Sequence, residues 1–123
     1  KIAGDAANGV RFAGSAIVVG DQLNEKDPLR PLVTAYVKEF SDRWKIPASL
    51  FGGYAHDALY ILKDAIERAN STEKQKVRDA IEQTREFRGV SGNYTMSPHD
   101  HNGLDYKSLR MIDIRNGKFV IGE

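Results

Sequence analysis

Residues 49–70, SLFGGYAHDALYILKDAIERAN, decide how the rest of this chain is read, because they join its strongest apolar period to an aromatic flanked by glycines. From Tyr54 onward, Tyr54, Ala55, Ala58, Leu59, Ile61, Leu62, Ala65, Ile66 and Ala69 recur at helical spacing, with His56, Lys63, Asp64 and Glu67 on the other side. That pattern predicts a core helix with one wet face. Ahead of it, Pro47, Ser49, Phe51, Gly52 and Gly53 predict a pre-helical turn able to present Phe51 to a ligand, although spacing alone favours Phe51 packing as a hydrophobic staple.

On the N-terminal side, Leu29, Leu32, Val33, Tyr36, Val37, Phe40 and Trp44 lie on one helical face. Pro31 suits the first turn of that helix, Asp27 an upstream cap, and Pro47 its limit. The connection before it, residues 20–31, carries two prolines and five formal charges without an apolar period. Earlier still, Val10, Phe12, Ala13, Ala16, Ile17, Val18 and Val19 predict a buried strand interrupted at Gly14 and Ser15. On the C-terminal side, Thr72 with Gln75 matches a capping box for a peripheral third helix whose apolar stripe is Val77, Ala80 and Ile81. The chain then turns extended through residues 90–96. It closes on the clearest hairpin signal, Asn116-Gly117, at the two positions where a type I′ turn needs positive φ.

At 123 residues, 41% hydrophobic and 28% charged, the chain is one modest folded unit. Its 18 basic and 17 acidic residues are mixed along the sequence, which leaves no electrostatic footprint for nucleic acid. Without cysteine it has neither a disulfide framework nor a thiolate metal site, and residues 1–9 lack the apolar core of a secretory leader. No P-loop, nucleophile elbow or dinucleotide fingerprint is present, so no cofactor is implied. His99, Asp100 and His101 are metal-ligand types, but they stand among turn formers with no ligand frame around them. His56 and Asp57 point roughly 100° apart on a helix, which favours an Asp stabilised by the helix N-terminus over an acid-base pair. Asn70-Ser71-Thr72 and Asn93-Tyr94-Thr95 match the glycosylation acceptor pattern, which is short enough to be common by chance.

Taken in order, GDAANGVRFAGSAIVV, the Asp27-Pro28 pair, the first helix, PASLFGGYAHDALYILKDAIERA, GVSGNYTMSPHDHNGLD and RNGKFV resemble the C-terminal portion of type I periplasmic solute-binding proteins. The nearest group is similar to the branched-chain amino-acid receptors of ABC transporters. The resemblance implies an α/β fold of two lobes, each a parallel sheet with flanking helices, plus a C-terminal β-hairpin, with ligand held in the cleft between the lobes. It implies a second-lobe loop and strand over 1–22, first-lobe helices and strand over 23–105, and a second-lobe hairpin over 106–123. Hinge crossings would fall at Gln22 and Leu23 and at Asp105 and Tyr106. Phe51 matches the aromatic that borders the ligand before the family's YDA-type helix, here HDA, and Tyr54 is a second ligand-binding candidate.

The same resemblance implies a non-enzymatic, periplasmic receptor that passes a small solute, an amino acid or aromatic acid, to an ABC permease. A ligand-sensing regulatory domain of the same fold, or a small α/β enzyme using His99 or His101, are the alternatives. The first lobe's opening strands and most of the second lobe have no counterpart in these residues, so the expectation is a fragment whose leader is absent and which forms an oligomer or strand-exchanged dimer.

Overall fold

The computed structural model describes residues 2–122; residues 1 and 123, the outer ends of the expected 1–22 and 106–123 segments, lie outside the described residues. The chain enters through a short 3-10 turn, Gly4–Ala7, into strand β1, Arg11–Ser15. It then forms a 3-10 run, Ala16–Gln22. This corrects the strand expected to reach Val19. The Ser15 hydroxyl accepts the Ile17 N–H (3.3 Å) and turns the backbone out of the ladder. Ala16, Ile17 and Val19 are buried all the same, because a short apolar run marks core without specifying strand or turn.

Helix α1, Arg30–Trp44, starts with Pro31 in its first turn and ends at Lys45, in the left-handed region at φ 56°, ahead of Pro47. Asp27 supports its entry through Oδ1, which accepts the Leu29 N–H at 2.9 Å. Helix α2, Leu50–Ala69, is capped by Ser49, whose Oγ accepts from Gly52 N, and closes on Asn70 at φ 45°. Helix α3, Lys74–Glu82, packs on α2 through Ala65, Val77 and Ala80, joined by Ile66, Ala69 and Ile81. The expected Thr72 capping box does not form. Glu73 occupies the cap position, the Ser71 hydroxyl accepts its N–H, and Gln75 reaches Asp79 instead.

Two short strands, β2 (Phe87–Arg88) and β3 (Asn93–Tyr94), make one antiparallel ribbon. Strands β4 (Leu109–Arg115) and β5 (Lys118–Ile121) make the predicted hairpin, with Asn116 at φ 51° and Gly117 at φ 73°. β1 joins this hairpin at its other edge in the order β1-β4-β5, pairing Arg11 with Asp113 and Ser15 with Leu109. Every ladder among the described residues is antiparallel, so the parallel sheet implied by the resemblance is not among the pairings that these residues make.

The main core lies between the 3-10 run and α1, from Ala16, Ile17, Leu23, Leu29, Val33 and Val90. Ile112, on β4, is also completely buried. Each of the Val, Leu and Ile side chains among these removed from water contributes about 1.5–3 kcal/mol, which is what holds the segments before and after α1 together.

Candidate functional site

Because Ser49 caps α2, residues Phe51, Gly52 and Gly53 form its first turn and not a turn ahead of it, a correction to the expected boundary. Phe51 is 78% exposed and is therefore no hydrophobic staple. The turn beneath it is wedged tightly. A Cβ on Gly52 would stand 2.8 Å from the Tyr36 hydroxyl, and one on Gly53 would stand 2.0 Å from Ile17 Cδ1. Tyr54, half-buried, lines a groove of about 490 Å³ with Ala58, Leu62, Tyr94, Met96 and Leu104. Phe51 is not among the residues of that groove, so the two ligand-binding candidates share a helix but not a cavity.

α2 also differs from a helix with one wet face. Its buried line is Gly53, Asp57, Ile61 and Ala65. Ala55 and Ala58 are exposed, as are Leu59 (67%) and Leu62 (40%), so α2 has two apolar sides, one of them in solvent. On its polar side, Lys63 pairs with Glu67 and Asp64 with Arg68, both at 2.7 Å. Between α1 and α2, the rings of Tyr36, Phe40, His56 and Tyr60 line a second cleft of about 490 Å³. The ring centroids lie 5.8 Å apart for Tyr36 and Phe40, 5.1 Å for Tyr36 and His56, and 4.6 Å for His56 and Tyr60. Sequence periodicity did not reveal this cleft, since its rings come from two helices.

Asp57 is the largest departure. It was expected near the helix terminus, stabilised by the dipole, but it sits in the body of α2 with 1% of its surface exposed. Its Oδ1 accepts the Val90 N–H at 2.7 Å, and Oδ2 accepts the Ser91 N–H at 2.8 Å and the Tyr94 hydroxyl at 3.2 Å. Burial, and then the charge of Asp57, push the Tyr94 hydroxyl well above the usual phenol range. The same two causes raise Tyr36. The only sequence signal for this carboxylate was a charge on the apolar side of α2, facing a glycine-rich stretch, Gly89-Val90-Ser91-Gly92.

The four residues expected at the crossings have separate surroundings. The exposed Gln22 side chain donates to Phe119 O and accepts from Ile121 N, both at 3.0 Å, binding the end of the 3-10 run to β5. Leu23 is buried in the main core. Asp105 N donates to Asn93 O at 2.9 Å, and its carboxylate caps a short 3-10 turn, Tyr106–Ser108. Tyr106 is 77% exposed, with Lys107 Nζ 5.9 Å from its ring centre. The contact that joins the two stretches was not read from sequence. Arg110 Nη2 donates to Asp27 Oδ2 at 2.6 Å, across 83 residues. Burial acts to raise the Asp27 carboxyl, but the Arg110 hydrogen bond, the Leu29 N–H and the Arg110 charge outweigh it and hold the group below its ordinary value.

The loop bearing His99 and His101 is built as a turn. Ser97 Oγ accepts from His99 N and Asp100 N, and Asp100 Oδ1 accepts from Asn102 N and Gly103 N. His101 Nε2 rests 3.2 Å from Glu82 Oε1 on the surface. Among the described residues, no group of three His, Cys, Asp or Glu is placed to hold a metal ion, and no helix is long and apolar enough to cross a membrane.

Three helices and a short antiparallel ribbon, inserted in the chain between the strands of an antiparallel hairpin sheet, match one portion of a two-lobed, type I binding-protein fold. A family profile described as periplasmic binding protein matches residues 1–117, and the chain belongs to that family. An extracellular ligand-binding receptor from Rhodopseudomonas palustris HaA2 superposes with a TM-score of 0.82 at 26% identity, over 98% of this chain and 36% of that one. A leucine-binding protein from Thermotoga maritima MSB8 (TM-score 0.77, 24% identity, 99% of this chain and 32% of that one) shares the fold. So does a branched-chain amino acid transporter substrate-binding protein from Streptococcus pneumoniae, solved with isoleucine (TM-score 0.71, 19% identity, 92% of this chain and 29% of that one). The chain spans about a third of the length of these structures. The curated proteins yield no match. The family consists of ligand-binding receptors rather than enzymes.

Proposed function

We propose that this chain supplies one wall of the ligand cleft of an extracytoplasmic receptor that captures an amino acid or small aromatic acid and delivers it to an ABC permease. Phe51 carries the reading. A large aromatic held 78% exposed on a rigid, glycine-wedged helical turn lacks a packing role within these residues, and it stands where a cleft-facing ring is expected. Tyr54 borders the same helix end. Residues 2–22 and 106–122 belong to one lobe and residues 23–105 to the other, with Gln22, Leu23, Asp105 and Tyr106 at the crossings. Support comes from the layers themselves: β1, β4 and β5 form one sheet, and the helices and the β2-β3 ribbon lie between its strands in the chain. Binding would work by closure, the ligand favouring the arrangement in which both walls touch it, with no bond chemistry.

The test is calorimetric titration of the complete protein with the amino acids and a set of aromatic acids, followed by the Phe51→Ala variant. Affinity is expected to fall about tenfold or more, the loss of roughly 1.4 kcal/mol of ring contact, while the melting temperature stays within a degree or two. No binding by any solute, together with a turnover that His101→Ala abolishes, would replace this reading with the enzymatic one.

A further inference from the structure

The Asp57 carboxylate is almost wholly enclosed. Its two oxygens take the backbone N–H groups of Val90 and Ser91 and the Tyr94 hydroxyl, and His56 Nδ1 lies 3.3 Å from Oδ1. Gly89 leaves room for this approach, since a Cβ there would stand 2.4–2.6 Å from the three atoms of the carboxyl group. The segment held in this way touches two other places. Towards the helix start, a Cβ on Gly53 would meet Ser91 Oγ at 3.1 Å, so Ser91 forms part of the seat of the first turn of α2. Towards the second crossing, Asn93 N donates to Ser108 Oγ at 2.9 Å, Asp105 N donates to Asn93 O at 2.9 Å, and a Cβ on Gly92 would lie 2.2 Å from Ser108 Cβ. Asp57, residues 89–93 and residues 105–108 thus form one continuous run of hydrogen bonds and close packing that begins beneath Phe51 and ends at the crossing.

We infer that Asp57 is the positioning residue of the candidate site: its carboxylate fixes residues 89–93 and, through them, sets the place of the Phe51 turn relative to the second crossing. The inference rests on the reading of Phe51 as a ligand-facing ring, and it extends that reading to a residue that touches no ligand. The chemistry requires a carboxylate. A carboxylate offers two acceptor oxygens to two N–H groups and a hydroxyl, whereas an amide of the same shape presents its own N–H₂ to at least one of those donors. A buried donor left facing another donor is costly enough to move the loop.

The experiment compares the complete wild-type protein with Asp57→Asn and with the reference Phe51→Ala. It measures amide hydrogen exchange by segment and solute affinity by calorimetry, well below each melting temperature. Asp57→Asn is expected to speed exchange at least tenfold in segments 49–54, 89–93 and 105–108, to leave the 109–121 hairpin unchanged, and to weaken solute binding tenfold or more in fully folded protein. Phe51→Ala is expected to weaken binding without changing exchange at 89–93. Faster exchange confined to 89–93, a uniform rise over the whole chain, or an affinity within twofold of wild type would overturn the inference. Should wild-type protein bind no solute, the proposed function fails, and the exchange pattern decides the role of Asp57 by itself. Should Asp57→Asn fail to fold, Ser108→Ala cuts the same run at its far end. It is expected to speed exchange at both 89–93 and 105–108, and unchanged exchange at 89–93 would overturn the inference.

Discussion

Removing the Asp27–Arg110 pair should reveal how firmly the stretch ahead of α1 is tied to β4. Arg110 Nη2 donates to Asp27 Oδ2 at 2.6 Å, and the side chains are 21% and 13% exposed, respectively. Each partner has other work: Asp27 Oδ1 accepts the Leu29 N–H, and Arg110 Nη1 donates to Lys107 O at 2.7 Å and Leu109 O at 3.1 Å. A fully exposed pair is worth about 0–1 kcal/mol, and a hydrogen bond to a charged group with little solvent access about 1.5–3. This pair, mostly but not wholly covered, should couple by about 1.5 kcal/mol. Arg110→Ala should cost about 2–3 kcal/mol, since it leaves Asp27 unpaired and two carbonyls without their donor. Asp27→Ala should cost about 2 kcal/mol, and the double variant clearly less than the sum.

Urea denaturation of the four proteins at pH 7 measures the cycle. The pH dependence has a definite sign: the folded Asp27 carboxyl lies below its ordinary value, so the unfolded chain takes up a proton first. The coupling is therefore complete above about pH 4, near the unperturbed carboxyl value, and is lost as pH falls through the lower, folded value. A coupling within 0.3 kcal/mol of zero at pH 7, or one that grows from pH 7 to pH 3, refutes the reasoning.

Three further outcomes follow from particular contacts. Asp113, gripped by Arg11 at 2.7 Å and by Arg115 at 3.1 Å, is held down to about 2, chiefly by the Arg11 hydrogen bond against the opposing effect of burial. Its stabilisation is present above the ordinary carboxyl value and fades as pH falls towards about 2, so Asp113→Asn should flatten the melting-temperature profile between pH 4 and pH 2; an unchanged slope speaks against it. Gly89→Ala drives a methyl into a carboxyl pinned on every side and should cost about 2–3 kcal/mol in urea, whereas Gly117→Ala, with open space but φ 73°, should cost about 1 kcal/mol. Equal costs would show that Asp57 can move aside. The solvent-facing apolar side of α2 should make the isolated chain associate, and Leu59→Lys should shift sedimentation towards monomer.

Much of the secondary structure was legible from local chemistry. Pro31 and Pro47 bracket α1, the apolar period locates α2, and Asn116-Gly117 specifies the β4-β5 turn, because each of these constraints acts within a few residues. The errors fall where local signals were ambiguous. Ala16–Val19 reads as strand by composition, yet one hydroxyl, Ser15 Oγ, turns it into a 3-10 run. The Thr72 capping box did not form because α3 begins one residue later than that pattern requires: Glu73 takes the cap position without a side-chain cap bond, and the Ser71 hydroxyl accepts its N–H.

By itself, the sequence determined the helices, the hairpin, the family and the aromatic candidate Phe51, since period, turn chemistry and an ordered set of blocks are properties of neighbouring residues. Only the tertiary structure decided that Asp57 is buried, that Arg110 meets Asp27 across 83 residues, that α2 has two apolar sides, and that Tyr54 lines a groove that Phe51 does not. The physical reason is that a carboxylate's environment is set by whichever donors the fold brings to it. For Asp57 those donors, Val90, Ser91 and Tyr94, lie more than thirty residues along the chain, beyond the reach of any helical period.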